Sequence, residues 1–205
     1  MLVAKLSKEL QDVTITASAQ HLKVLRENIP SGFSVWDECL GGGWPRGGVV
    51  ELGLPFGMDA REFLVTSLAS MQRQSLWIYP SRYLGESVSI YPPAWAARGI
   101  SLAKNRFVKT DMPIVHLKSI FMSSVFDVIV CDGVSSFEEG DWAFVAQQAR
   151  RHRYVLIALN HRRLHSRKGN IWAGVRANLT SIPSQGRVYR VEAVRGLSPG
   201  VHDII

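Results

Sequence analysis

Three short stretches hold the residue types that could do chemistry, and each follows a mostly apolar run. Gly53 to Arg61 follows Val49-Val50-Glu51-Leu52, Asp132-Gly133 closes Asp127-Val128-Ile129-Val130-Cys131, and Asn160-His161 ends Leu156-Ile157-Ala158-Leu159. A glycine-bearing turn between a strand and a helix offers backbone N–H groups to phosphate. An aspartate at a strand end suits a hard cation such as magnesium, although Asp-Gly is also ordinary turn chemistry. A fourth stretch, His161 to Asn170, brings together Arg162, Arg163, His165, Arg167 and Lys168. Arginine and lysine there suit phosphates, while His161, His165 and Trp172 could offer planar groups to bases. The histidines have no cysteine or carboxylate beside them, so solvated loop histidines are expected and no metal site. Cys39 and Cys131 lie far apart without a CxxC spacing, which fits buried thiols in a reducing compartment.

To place these groups together the chain must alternate strands and helices. Residues 1 to 30 read as an arm, with a short helix at Val3 to Leu10 and an extended stretch at Val13 to Ser18. Ser31 caps a short helix with Phe33, Trp36 and Leu40 on one side, and Gly41-Gly42-Gly43 ends it before a turn at Pro45 to Gly48. Strands are expected at Val49 to Leu52, Leu76 to Tyr79, Arg106 to Lys109, Asp127 to Cys131 and Tyr154 to Leu159. Between them, helices are expected from Ala60 to Gln72 with Asp59 as cap, Pro92 to Arg98, Pro113 to Ser123, and Asp141 as cap through Arg151. Ile171 to Val194 alternates like late edge strands, and the tail from Leu197 to Ile205 is either a docking peptide or frayed. The expected fold is α/β, a mostly parallel central sheet flanked by helices on both sides. The expected organisation is an arm over 1–28, a core over 29–196 and a tail over 197–205.

A chain of 205 residues, 46% hydrophobic and 20% charged, suits one globular core. No apolar run is long enough to cross a bilayer, and the N-terminus lacks the blocks of a signal peptide, so a cytoplasmic protein is expected. The net charge of +7 is unevenly distributed: residues 150 to 195 hold eleven Lys and Arg against one acid, Glu192, so the remainder is net acidic. Such a segment points to a polyanion or an acidic partner surface, or else to a solvated basic face.

Order and spacing then suggest a family. Pro30-Ser31-Gly32-Phe33, Trp36-Asp37 and Leu40-Gly41-Gly42-Gly43-Trp44-Pro45-Arg46-Gly47-Gly48 before Val49 to Leu52 resemble the segment leading into the RecA ATPase core. Asp127 to Asp132 resembles its Walker B strand. Leu156 to His161 resembles the next strand, which in RecA leads into the second DNA-binding loop. The resemblance implies a RecA-like P-loop NTPase core with a degenerate phosphate loop. A working loop needs glycines, a lysine for the phosphates and a Ser or Thr hydroxyl for magnesium. In Gly53-Leu54-Pro55-Phe56-Gly57-Met58-Asp59-Ala60-Arg61, Ala60 stands at the lysine position and Arg61 at the hydroxyl position. Asp59 adds a carboxylate where phosphate would sit. Tyr79-Pro80-Ser81-Arg82 occupies the place of the catalytic glutamate.

Among short RecA-like proteins the chain is similar to the ImuA family of bacterial mutagenesis proteins, on Pro30 to Phe33, Leu40 to Gly47 and Glu51-Leu52. The resemblance implies a catalytically inactive accessory protein of the DNA damage (SOS) response, acting in error-prone translesion synthesis without a cofactor. The implied partners are an ImuB-like Y-family polymerase homologue, an error-prone replicative-type polymerase, RecA itself and single-stranded DNA, with no membrane. The residual nucleotide site would comprise Gly53, Gly57, Ala60, Arg61 and Asp132, and the DNA loop Arg162, Arg163, His165, Arg167 and Lys168. The alternatives are a SulA-like cell-division inhibitor, or an atypical RecA or KaiC-type ATPase using Arg61 and Asp132.

Overall fold

The structure is a computed structural model that describes residues 28–55, 60–83, 86–87, 89–133, 137–166, 169–182, 188–198 and 200–204. The elements expected within residues 1–27 lie outside the described residues. Its strands are β1 (Val49–Gly53), β2 (Ser75–Tyr79), β3 (Arg82–Tyr83), β4 (Glu86–Ser87), β5 (Asn105–Lys109), β6 (Val128–Asp132), β7 (Val155–Asn160), β8 (Val175–Ile182), β9 (Val188–Arg195) and β10 (Val201–Ile204). The helices are α1 (Ser34–Cys39), α2 (Arg61–Met71), α3 (Pro92–Ala96), α4 (Pro113–His116), α5 (Lys118–Phe121) and α6 (Glu139–His152). Eight strands form one sheet in the order β10-β9-β8-β1-β7-β6-β2-β5. Strands β5, β2, β6, β7, β1 and β8 run parallel, while β9 and β10 add antiparallel hairpin partners.

The central strands are mostly apolar on both sides because both faces are covered. Every residue of β1 and β6 is buried. Alternation then divides them: Val50, Leu52, Val128, Val130, Val155 and Ile157 join the core under α1 and α2, whereas Val49, Ile129, Cys131, Leu156 and Ala158 join the core under α5 and α6. The first core is built on aromatic rings, with Phe33 stacked on Phe63 at 4.6 Å and Trp36 edge-on to Trp44 at 5.3 Å. Trp44 also donates its indole N–H to the Ser67 hydroxyl at 2.9 Å. Gly43 admits this packing: at its φ of +112° a Cβ would meet the Ile29 carbonyl oxygen at 2.3 Å.

Several boundaries differ from expectation for local reasons. Ser31 does not cap α1; its hydroxyl bonds the Phe33 backbone, and its own N–H donates to Asp37 at 2.8 Å. Asp141 is the third residue of α6, where its carboxylate accepts the N–H of the cap Glu138 in a reciprocal capping box. The helix expected over Pro113 to Ser123 breaks at Leu117 into α4 and α5. Trp172 precedes β8 in a turn and packs, partly buried, against the α6-side core. Within the expected tail, Val201–Ile204 is neither frayed nor extended as a free peptide: β10 pairs antiparallel with β9, and Asp203 binds the Arg190 guanidinium at 2.9 Å. Among the described residues, no helix is long and apolar enough to cross a membrane.

Candidate functional site

Ligands of open parallel sheets collect at the carboxyl ends of the strands. Here the ends of β1, β7 and β6 lie side by side, in register Gly53↔Asn160 and Asp132↔Leu159. The three sequence stretches singled out above therefore meet at one rim.

Asp132 ends β6 with its side chain only 6% exposed. The Arg61 guanidinium grips it in a fork, Nε to Oδ2 at 3.2 Å and Nη2 to Oδ1 at 3.0 Å. On its other side His161 places Nε2 at 3.0 Å from Oδ1. Arg61 is the first residue of α2, so the helix itself delivers the cation. Ala60, 3% exposed, is the cap of that helix and offers no side-chain hydrogen bond. A bidentate arginine and a histidine occupy the carboxylate oxygens through which an aspartate would hold magnesium. In the alignment that the RecA resemblance implies, Ala60 and Arg61 stand at the lysine and hydroxyl positions, a pair of side chains that does not fit a magnesium–nucleotide complex. Gly57 and Asp59 lie outside the described residues.

A second buried cluster lies on the α6 face. Glu51 of β1 faces Arg176 of β8 in register, and their side chains are 5% and 4% exposed. Arg176 Nε donates to Oε2 at 2.6 Å, and Asn160 Nδ2 donates to Oε1 at 2.7 Å. Arg176 also donates from Nη1 to the His165 carbonyl at 3.1 Å. The chain after β7 is thereby tied to the sheet. Asn178 of β8 completes the tie by bonding both backbone groups of Leu164, at 2.7 and 3.1 Å.

These ties explain Gly53. A Cβ there would stand 2.3 Å from Asn178 Oδ1 and 2.9 Å from the Arg162 carbonyl, so the position serves close packing of the chain after β7. Gly53→Ala is expected to lose about 1–3 kcal/mol of stability through overpacking. Urea unfolding followed by circular dichroism checks it: a lowered midpoint with an unchanged slope is the expected result.

No protein-family model matches this chain, and no curated protein matches it. The site is therefore read from its own geometry.

Of the residues expected to grip DNA, Arg162 and His165 are exposed, and Arg163 is exposed but donates to Glu192 at 2.6 Å. Arg167 and Lys168 lie outside the described residues. His161, expected as a planar platform for a base, is 16% exposed and turned onto Asp132 instead. After β2, in the Tyr79 to Arg82 stretch, Ser81 donates its N–H and its hydroxyl to Asp111, two residues beyond β5. Those bonds lower the Asp111 carboxyl from its ordinary value. Cys131, beside Asp132, is fully buried and its thiol is pushed well up by burial and by that carboxylate, which leaves it inert. Cys39 is free and only partly buried, where a buried thiol was expected.

Sequence reasoning missed Asp111, Arg176 and Asn178 as site residues. One signal was present. Glu51 is a carboxylate inside an expected strand of a sheet flanked by helices on both sides, and such a group demands a buried partner.

Proposed function

We propose that the chain is a RecA-like scaffold whose phosphate corner has become an ion-paired structural corner, and that it serves as a non-hydrolysing accessory protein in error-prone translesion synthesis. Its implied partners are an ImuB-like polymerase homologue and an error-prone replicative-type polymerase, with RecA and single-stranded DNA as further contacts. The observation that carries this reading is the Arg61 fork on Asp132. The residue at the hydroxyl position neutralises the very carboxylate that would have held the metal. The adjacency of β1, β7 and β6 supports it too, since the RecA resemblance rests on segments that have to share one rim.

Isothermal titration with magnesium and ATP is expected to give no measurable binding. Micromolar, magnesium-dependent binding that vanishes in Asp132→Ala would overturn the reading and favour an atypical ATPase. Co-purification with the two polymerases tests the adaptor role. Inhibition of FtsZ polymerisation without polymerase association would replace it with a division inhibitor.

A further inference from the structure

The opposite end of the sheet has a character of its own. The parallel strands bring their leading segments together on one edge: 45–48 before β1, 72–74 before β2, 102–106 at β5, 125–127 before β6 and 150–154 before β7. Backbone bonds connect them in sequence, from Ser75 N–H to the Lys104 carbonyl, Asp127 N–H to Gln74, Val155 N–H to Asp127, and Gly47 N–H to Tyr154. Gly174 N–H to Val49 extends the edge to β8, and β9 ends there with Arg195 opposite Arg176. These segments hold Arg46, Arg73, Lys104, Arg106, Arg150, Arg151, Arg153 and Arg195, and one acid, Asp127. Eight cations against one acid equal the +7 of the whole chain. Among the described residues, this amino-terminal edge thus carries a charge as large as that of the whole chain.

The single acid is already engaged, by Arg46 at 3.2 Å. Lys104 donates to the Gln72 carbonyl, Arg106 to the Leu102 and Ala103 carbonyls, and Arg195 to the Ile171 carbonyl. Neutral acceptors position these groups and leave their charge intact. Arg73, Arg150 and Arg151 are exposed, and among the described residues no carboxylate pairs with them. Arg150 and Arg151 in the last turn of α6 also favour its dipole, but that accounts for neither Arg73 nor the β5 and β9 cations.

We propose that this edge binds the phosphate backbone of a nucleic acid, and that it is the principal polyanion surface of the protein in place of the chain after β7. Seven of the eight cations are arginines, whose planar fork matches phosphate oxygens two at a time. With strands about 4.8 Å apart, the six parallel strands span about 24 Å, which is about seven nucleotides at 3.4 Å each. An acidic protein partner is disfavoured because interface cores are depleted of charge, whereas this edge is charged along its length. The proposal is independent of the state of the phosphate corner.

Fluorescence anisotropy with labelled single-stranded and duplex oligonucleotides, titrated with the full chain from low to moderate salt, tests it. The variant Arg73→Ala/Arg150→Ala/Arg151→Ala is expected to bind about tenfold more weakly or worse, with a salt slope shallower by about 2–3. The variant Arg162→Ala/Arg163→Ala/Arg167→Ala/Lys168→Ala is expected to bind nearly as the parent does. Thermal unfolding of both variants verifies that they remain folded. The reverse ranking of the two variants overturns the proposal. So does a parent that binds polyglutamate but no oligonucleotide at low salt.

Discussion

Arg176→Ala is expected to remove about 3–5 kcal/mol of stability, the cost of leaving a buried carboxylate without its cation. Glu51 and Arg176 are directly paired across β1 and β8 and are almost wholly out of water. After truncation Glu51 keeps only the Asn160 amide, which offers no charge. For a chain of this size the loss corresponds to a melting temperature lower by roughly 6–20 °C, read by scanning calorimetry. The double variant Glu51→Leu/Arg176→Met is the control. It removes both charges at similar volume and, among the described residues, leaves the Asn160 amide and the His165 carbonyl short of a partner, so it is expected to lose about 1–2 kcal/mol. A single variant no worse than the double would mean that the pair is not buried as described. The single variant also releases the chain after β7 from its anchor on the His165 carbonyl. Limited proteolysis is therefore expected to cut within residues 161–170 earlier than in the parent.

What could be read from the sequence follows the reach of each interaction. The runs at β1, β6 and β7 announce themselves because strands covered on both faces are mostly apolar, with Glu51 the exception in β1, and the helices between them then require a parallel sheet. The rim was accordingly legible: all three stretches singled out for their chemistry end neighbouring strands. The pairings within it were not, since Arg61 and Asp132 are 71 residues apart and Arg176 and Glu51 are 125 apart. Arg61 and Asp132 were visible as the residues an atypical ATPase would use, but nothing local says that they turn toward each other. The short strand β10 escaped because Val201 to Ile204 is four residues long and apolar only at its two ends, with no alternation to separate a strand from a frayed end. The basic segment was legible as charge, and the buried strand inside it already separates its two halves to opposite edges of the sheet. Arg150 and Arg151 lie at the opposite end of β7 from Arg162 and Arg163, and the other cations at that end of the sheet, among them Arg46, Arg73, Lys104 and Arg106, come from outside that segment.

Asp132→Asn offers the sharpest distinction between a metal-binding aspartate and a structural one, because the two roles predict opposite signs. A carboxylate poised for a cation is an uncompensated buried charge in the metal-free protein, and neutralising it relieves desolvation. A carboxylate already gripped by arginine loses its partner's compensation when it is neutralised. The Arg61 fork and the His161 bond place Asp132 in the second class. The amide would moreover turn an N–H donor toward one of these partners. Arg61 keeps 33% of its side chain in water, which screens the pair and holds the loss below that of the Glu51–Arg176 pair. The expected destabilisation is about 2–3 kcal/mol, or roughly 4–12 °C in melting temperature. Added magnesium is expected to leave the parent's melting temperature unchanged, since a ligand stabilises only the state that binds it. An Asp132→Asn protein that melts at or above the parent, together with a parent stabilised by magnesium, would return the rim to phosphate chemistry and take Arg61 out of its structural role.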